Sequence, residues 1–196
     1  MKRVLTAAIA AVTFCTLSML SSAASAQGGP FDRWSVGFDW INPGRSLVIS
    51  GAGWAGHATG NLVGACAGKG FQYGSFYIGA DLCVDGGVIE TQERGYAGIN
   101  GLGYVTLRTG WVFNLFGIPT LAYVGAGPDV GLASYGVDAA HLNKQWFSGQ
   151  HAGFGLEAMF GHLSLDANVM RRRVSDIQDR NVGDATYGGL RIKYNF

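Results

Sequence analysis

The chain has 196 residues, 14 Lys and Arg against 13 Asp and Glu, a formal net charge of +1, and 48% hydrophobic but only 14% charged residues. So neutral a balance speaks against nucleic-acid binding. The 32 glycines speak against long helices, where each costs about 1 kcal/mol relative to alanine, while the lack of a Gly-X-Y period excludes collagen and the apolar content excludes a disordered linker.

Lys2 and Arg3, an apolar run from Val4 to Leu20 and the small residues Ala24-Ser25-Ala26 have the three-part pattern of a cleaved secretory signal. Phe14 before Cys15 disfavours a lipoprotein signal, which wants a small residue there. Taking residues 1 to 26 as the signal leaves 27 to 196 as one domain of 170 of the 196 residues, with a formal charge of −1 once the two signal cations go. Two cysteines remain, Cys66 and Cys83, an even number for an oxidising compartment.

From there on the sequence alternates with period two, as expected of strands whose faces meet different surroundings. Trp34, Val36, Phe38 and Trp40 form the apolar face of a first strand, opposite Ser35, Gly37 and Asp39. A second runs from about Asn61 to Phe71, with Val63, Ala65, Ala67 and Phe71 on one side. A third sets Phe76, Ile78, Ala80, Leu82 and Val84 against Tyr77, Gly79, Asp81, Cys83 and Asp85. In the fourth, Val105, Leu107, Thr109, Trp111 and Phe113 face outward, and Tyr104, Thr106, Arg108 and Gly110 inward. A fifth, near 121 to 132, opposes Ala122, Val124, Ala126, Val130 and Leu132 to Tyr123, Gly125, Gly127, Asp129 and Gly131, with Pro128 requiring a bulge. The sixth and seventh put Phe154, Leu156, Ala158, Phe160, Leu163, Leu165, Ala167 and Val169 outward and Glu157, Asp166 and Asn168 inward. The last alternates Leu190, Ile192, Tyr194 and Phe196 with Gly189, Arg191, Lys193 and Asn195.

The uncharged stretch from Thr109 to Pro128 also has the length of a membrane helix, but Gly117 and Pro119 break it, and two strands joined by a turn at Asn114 to Pro119 account for it better. Connections after strands two, four and six are short, at Gly74-Ser75, Asn114 to Pro119 and Gly161-His162. Others are longer and more polar, as in Ile89 to Gly98, Ser134 to Gln150 and Val174 to Thr186. Short turns at one end and long loops at the other are the mark of a membrane barrel. The fold class expected is therefore all-β, a closed eight-stranded antiparallel transmembrane β-barrel behind a cleaved signal peptide. Segment 46 to 53 fits either the first external loop or an extension of its strands. Trp34, Tyr73, Phe76, Phe113, Phe116, Tyr194 and Phe196 gather toward the short-turn end as an aromatic girdle.

The inward positions collect Asp39, Asp81, Asp85, Arg108, Asp129, Glu157, Asp166, Arg191 and Lys193, a lumen charge network in a barrel whose interior is only wide enough for side chains. These charges are expected to pair, with Arg108 and Arg191 as the main cations, because an unpaired charge in a narrow lumen is costly. A narrow ion path lined by the same charges is the alternative. If Gly74-Ser75 is the turn, Cys66 lies opposite Cys83, both thiols pointing inward, either bonded or left as two small reduced residues. No histidine or third cysteine shares that face, so no metal site is expected, nor any other cofactor. The same register turns Lys69 toward lipid, close enough to the turn to snorkel to headgroups.

The segments GNLVGACAGKGFQYGSFYIGADLCV (60 to 84), GYVTLRTGW (103 to 111), LAYVGAG (121 to 127) and GGLRIKYNF (188 to 196) resemble, in strand order, the small outer-membrane β-barrel family that includes surface antigens of alphaproteobacteria and, more distantly, OmpA-like barrels. The resemblance implies location in the bacterial outer membrane and a structural or surface-interaction role. It implies no enzyme activity of its own, and leaves any external ligand open. Leu190, Ile192, Tyr194 and Phe196 resemble the C-terminal signal read by the barrel assembly machinery, although a common form of that signal carries glycine where Arg191 stands; the bland reading is a lipid-facing last strand. Partners implied are outer-membrane lipid and lipopolysaccharide. Arg171, Arg172 and Arg173, where the seventh strand emerges, suit lipopolysaccharide phosphates or a solvated loop base. Some eight-stranded barrels modify lipid A. His162-Leu163-Ser164 has the H-x-S spacing of barrel deacylases, but at a short turn and with no suitable glutamate following it, while His57, His141 and His151 fall in or near loops.

Overall fold

The structure is a computed structural model, and it describes residues 28–43, 47–49, 55–57, 59–91, 96–136, 142–174 and 185–196. The secretory-signal assignment for residues 1 to 26 lies outside the described residues. Among the described residues ten strands follow in chain order: β1 (Trp34–Asn42), β2 (Leu47–Ile49), β3 (Ala55–His57), β4 (Thr59–Tyr73), β5 (Phe76–Thr91), β6 (Tyr96–Leu115), β7 (Ile118–Gly136), β8 (Leu142–Phe160), β9 (Leu163–Val174) and β10 (Ala185–Asn195). Eight of them close into an antiparallel barrel in the order β1-β10-β9-β8-β7-β6-β5-β4. The Phe196 amide donates to the Trp34 carbonyl oxygen at 3.0 Å, so the last residue seals the β1–β10 seam.

The predicted alternation is the wall's inside-out pattern. Val36, Phe38, Trp40, Val63, Ile78, Leu82, Leu107, Trp111, Val124, Phe154, Leu156, Leu165 and Ile192 are exposed on the outside, while polar and charged side chains are buried within. An apolar exterior on a closed ring with no free edge is the arrangement that satisfies every backbone group in lipid. The Thr109 to Pro128 stretch is the end of β6, a turn at Phe116-Gly117 and the start of β7, with no helix. Both turn residues have positive φ, 51° and 83°, the conformation that joins right-twisted strands through two residues.

The strands reach further outward than the alternation indicated. The expected loops Ile89 to Gly98 and Ser134 to Gln150 are largely strand, since β5 runs to Thr91, β6 begins at Tyr96, β7 runs to Gly136 and β8 begins at Leu142. At 19 or 20 residues, β6, β7 and β8 are about twice the 9 to 11 that span a bilayer. Beyond the lipid both faces of a strand meet water, so residues such as Asn143, Lys144 and Gln145 are loop-like in composition while their backbone still pairs with β7. Segment 46 to 53 contributes β2, which pairs with β3 in a separate two-stranded sheet within the first external connection.

No bulge forms at Pro128. Pairs Tyr104↔Asp129 and Leu107↔Ala126 share one register, and between them Gly127 and Pro128 have no partner on β6 while both pair with β8. Register shifts fall at Gly86/Ile89 and Ile99/Gly101 instead, where glycines stand in the ladder.

Candidate functional site

The barrel interior is the site that the sequence singled out. An eight-stranded lumen has room for large side chains only if small ones face them. Glycines supply that room: a Cβ on Gly68 would stand 2.1 Å from Asp81 Oδ1, one on Gly64 2.3 Å from Asp85 Oδ1, and one on Gly155 2.5 Å from Tyr123 Oη. Lys193, Phe147 and Met170 likewise lie over Gly37, Gly131 and Gly153 of neighbouring strands. The high glycine content is thus the complement of the charges.

All nine predicted inward charges are buried, none more than 4% exposed. Arg108 on β6 holds Glu157 through Nη1 at 2.8 Å and lies 3.4 Å from Asp166, with its Nε 2.9 Å from Asp81 Oδ2. Its Nη2 donates to Tyr77 Oη at 3.0 Å and Asp81 Oδ1 at 3.1 Å. On β10, Arg191 donates through Nε to Asp39 at 3.0 Å, through Nη1 to Asp81 at 3.1 Å and through Nη2 to Tyr104 Oη at 3.0 Å. Tyr104 in turn donates its hydroxyl proton to Asp39. Asp81 therefore bridges the two arginines. Toward the short-turn end Lys193 donates to Glu157 at 2.6 Å, Ser164 closes the other Glu157 oxygen at 2.7 Å, and Tyr123 donates to Asp166 at 2.7 Å.

Two members of the network had not been assigned to it. Arg172 belongs with the exposed arginine cluster in the sequence reading, yet it is buried on the inner face of β9, its Nη1 2.7 Å from Asp129 and its guanidinium 4.4 Å from the centre of the Tyr104 ring. The triplet lies within β9 and not beyond it, so alternation sends Arg172 inward and leaves Arg171 and Arg173 on the outer face. His151 is in strand β8, also buried, with Nδ1 2.7 Å from Asp129 Oδ1 and Nε2 2.9 Å from Thr106 Oγ1. Extending the inward parity of Asp166 and Asn168 to Arg172, and of Glu157 to His151, would have found both. What hid them was the loop-like composition around them.

Thr106, His151 and Asp129 are ordered like a nucleophile, base and acid. Thr106 is fully buried, however, and Asp129 is already neutralised by Arg172, so these three tie β6, β7 and β8 together. The His162 and Ser164 pair is split: His162 Nδ1 meets the Asn195 carbonyl oxygen at 2.8 Å, and Ser164 serves Glu157 inside. The His57 side chain and His141 lie outside the described residues.

Two clusters of buried apolar residues accompany the charges inside the barrel. One comprises Ile41, Leu62, Cys66, Cys83, Ile89, Ile99, Leu102, Tyr104, Ala133, Phe147 and Tyr187, and the other is built on Phe31, Tyr77, Val112, Leu121, Tyr123, Met159 and Met170. Phe31 comes from the segment before β1, where it packs edge-on against Tyr77, its amide 3.1 Å from Gln72 Oε1. The same segment supplies Asp32, which takes Lys69 Nζ at 3.0 Å. Lys69 is thereby paired beside the wall instead of reaching for headgroups alone.

Cys66 and Cys83 face each other in the β4–β5 ladder and form a disulfide. Asp39 lies close enough to both sulfurs to suggest a metal-binding trio, but the bonded sulfurs are no longer thiolate ligands. Asp85 carries two buried oxygens without a hydrogen-bond partner among the described residues. At the outer end a small recess is lined by Tyr104, Asn168, Arg172, Tyr187 and Arg191, and Asn168 Nδ2 and Arg172 Nε there have no hydrogen-bond partner among the described residues. Such a polar recess suits ordered water.

No protein-family model matches this chain, and no curated protein matches it in sequence. Solved structures match it in fold. Neisserial surface protein A (NspA) matches over 83% of this chain and 97% of its own, at 12% identity and a TM-score of 0.53. Ail, the attachment invasion locus protein of Yersinia pestis, matches over 84% and 99%, at 14% identity and a TM-score of 0.51. The N-terminal β-barrel domain of Pseudomonas aeruginosa OprF matches over 83% and 97%, at 15% identity and a TM-score of 0.49. With eight antiparallel strands in a closed ring, charges inside and an apolar wall outside, this chain has the fold of the small outer-membrane β-barrels.

Proposed function

We propose that this chain is an exported protein of the bacterial outer membrane, related to alphaproteobacterial surface antigens, that strengthens the envelope and presents its external connections to the surroundings while its lumen stays plugged. One observation carries the reading: ten charged residues, the nine predicted ones and Arg172, are each at most 4% exposed inside a closed ring with an apolar exterior. Packed ion pairs accompanied by two apolar clusters support a strut more than a pore. Recognition of surface partners then falls to the external connections, as is usual for loops on a rigid scaffold.

Two contacts with the envelope belong to the proposal. The outward row Leu190, Ile192, Tyr194 and Phe196, on the strand that pairs with β1, serves as the signal for the assembly machinery. Arg171 and Arg173, on the outer face of β9 at the end away from the short turns, contact lipopolysaccharide phosphates. No catalytic role is assigned to the Thr106, His151 and Asp129 trio, because its side chains are buried inside the wall.

Recording from the refolded protein in planar bilayers tests the central point. The expected result is no steady conductance. A steady open level would replace the strut with a narrow channel.

A further inference from the structure

The Cys66–Cys83 bond lies where no reagent in solution can meet it. Cys83 is 0% and Cys66 6% exposed, within the outer apolar cluster and beside Asp39, which Arg191 and Tyr104 hold in place. Disulfide exchange requires a thiolate to reach a sulfur directly. With Cys83 at 0% and Cys66 at 6% exposure among the described residues, such an approach requires the wall to open.

Between Leu62 and Tyr77, two large buried side chains of the β4–β5 hairpin, the lumen face around the bond is mostly glycine. Facing the lumen, β4 presents Gly64, Gly68 and Gly70 on either side of Cys66, opposite Asp85, Asp81 and Gly79 of β5. A slip of two residues would keep every inward residue inward and set Gly70 under Asp81. Cys66 would then face Asp85 and Cys83 would face Gly68, so the two cysteines would lose each other. Glycine-rich strands specify register weakly, and this hairpin supplies Asp81, the bridge between Arg108 and Arg191.

We infer that the disulfide is made before the barrel closes, by a thiol–disulfide oxidant of the periplasmic class acting on the open chain, and that it sets the β4–β5 register on which the charge network is then assembled. One cysteine thiolate attacks the oxidant's disulfide and releases one of its sulfurs as thiolate. The second cysteine thiolate attacks the mixed disulfide, so the protein gains one S–S bond, the oxidant leaves as a dithiol, and the two cysteine protons pass to the medium or the departing thiolates. Closure afterwards seals the bond. The inference shares with the proposed function the premise of export through an oxidising compartment, but its test is made on purified protein and does not depend on where the cell puts it.

Oxidised protein folded in detergent is treated with dithiothreitol, and protein folded in the reduced state is treated with oxidised glutathione, each beside a urea-unfolded control, with free thiols counted by alkylation and mass. Both reactions should be slowed about 100-fold or more in the folded barrel, because exchange then needs a sub-global opening of the wall. Exchange at the unfolded rate in either arm overturns the order of events. Should the reduced chain fail to fold, seen as loss of the fast-migrating unheated band, the dithiothreitol arm still decides. Cys66→Ala with Cys83→Ala should fold several-fold more slowly than the oxidised chain; an equal rate overturns the register role.

Discussion

Arg108 touches four polar neighbours, Tyr77, Asp81, Glu157 and Asp166, and shares Glu157 with Lys193. Its worth is defined by what its removal leaves behind. Arg108→Leu strands three buried carboxylates with only Lys193 and Arg191 to share, and breaking a buried pair in this way costs about 3–5 kcal/mol. Urea unfolding in lipid vesicles should show that loss, and a change below about 1 kcal/mol would mean that the carboxylates find other partners. At the same scale, Gly155→Ala should destabilise the barrel by about 1–3 kcal/mol, the range for overpacking, because the new Cβ would press on the Tyr123 hydroxyl that serves Asp166. Tyr123→Phe in the same background, lacking that hydroxyl, should recover part of the loss.

Strand β9 separates two kinds of arginine by parity alone. Arg172→Ala removes the cation held 2.7 Å from Asp129 and should destabilise the fold by about 3 kcal/mol or more. Arg171→Ala with Arg173→Ala should leave stability within about 1 kcal/mol while reducing lipopolysaccharide retained on purification. If all three behaved alike in both assays, β9 would not be placed as described. Much of this strand was legible beforehand, since Leu163, Leu165, Ala167 and Val169 announce the outer face. The rest was not, because the period-two signal depends on lipid against one face and fades where a strand rises into water. That is why β8 reaches back to Leu142, through a stretch whose composition indicated a loop.

The molecule as a whole closes through β1 and β10, with the Phe196 amide on the Trp34 carbonyl as the last rung. A closed barrel of this kind withstands detergent until heated, so an unheated sample should migrate ahead of a boiled one on electrophoresis. Identical mobility would argue against closure. Deleting Phe196 removes that rung and the exposed terminal aromatic just beyond β10. Fractionation should then find the variant in the periplasm, and undiminished outer-membrane insertion would remove the assembly role from this residue.

At that scale the division between sequence and structure has a physical cause. Period two, turn glycines and the separation of short from long connections were sufficient for eight strands, their faces, the inward charges and the Cys66 opposite Cys83 register, since each follows from local geometry and from lipid meeting one face only. The partners of those charges were a different matter. Arg191 reaches Asp39 across 152 positions and Arg108 reaches Glu157 across 49, distances that only the curvature of a closed ring brings together. Tertiary structure alone also brought Arg172 and His151 to Asp129, slid Phe31 against Tyr77, and set glycines beneath Asp81, Asp85 and Tyr123, because these depend on how strands face one another across a narrow lumen.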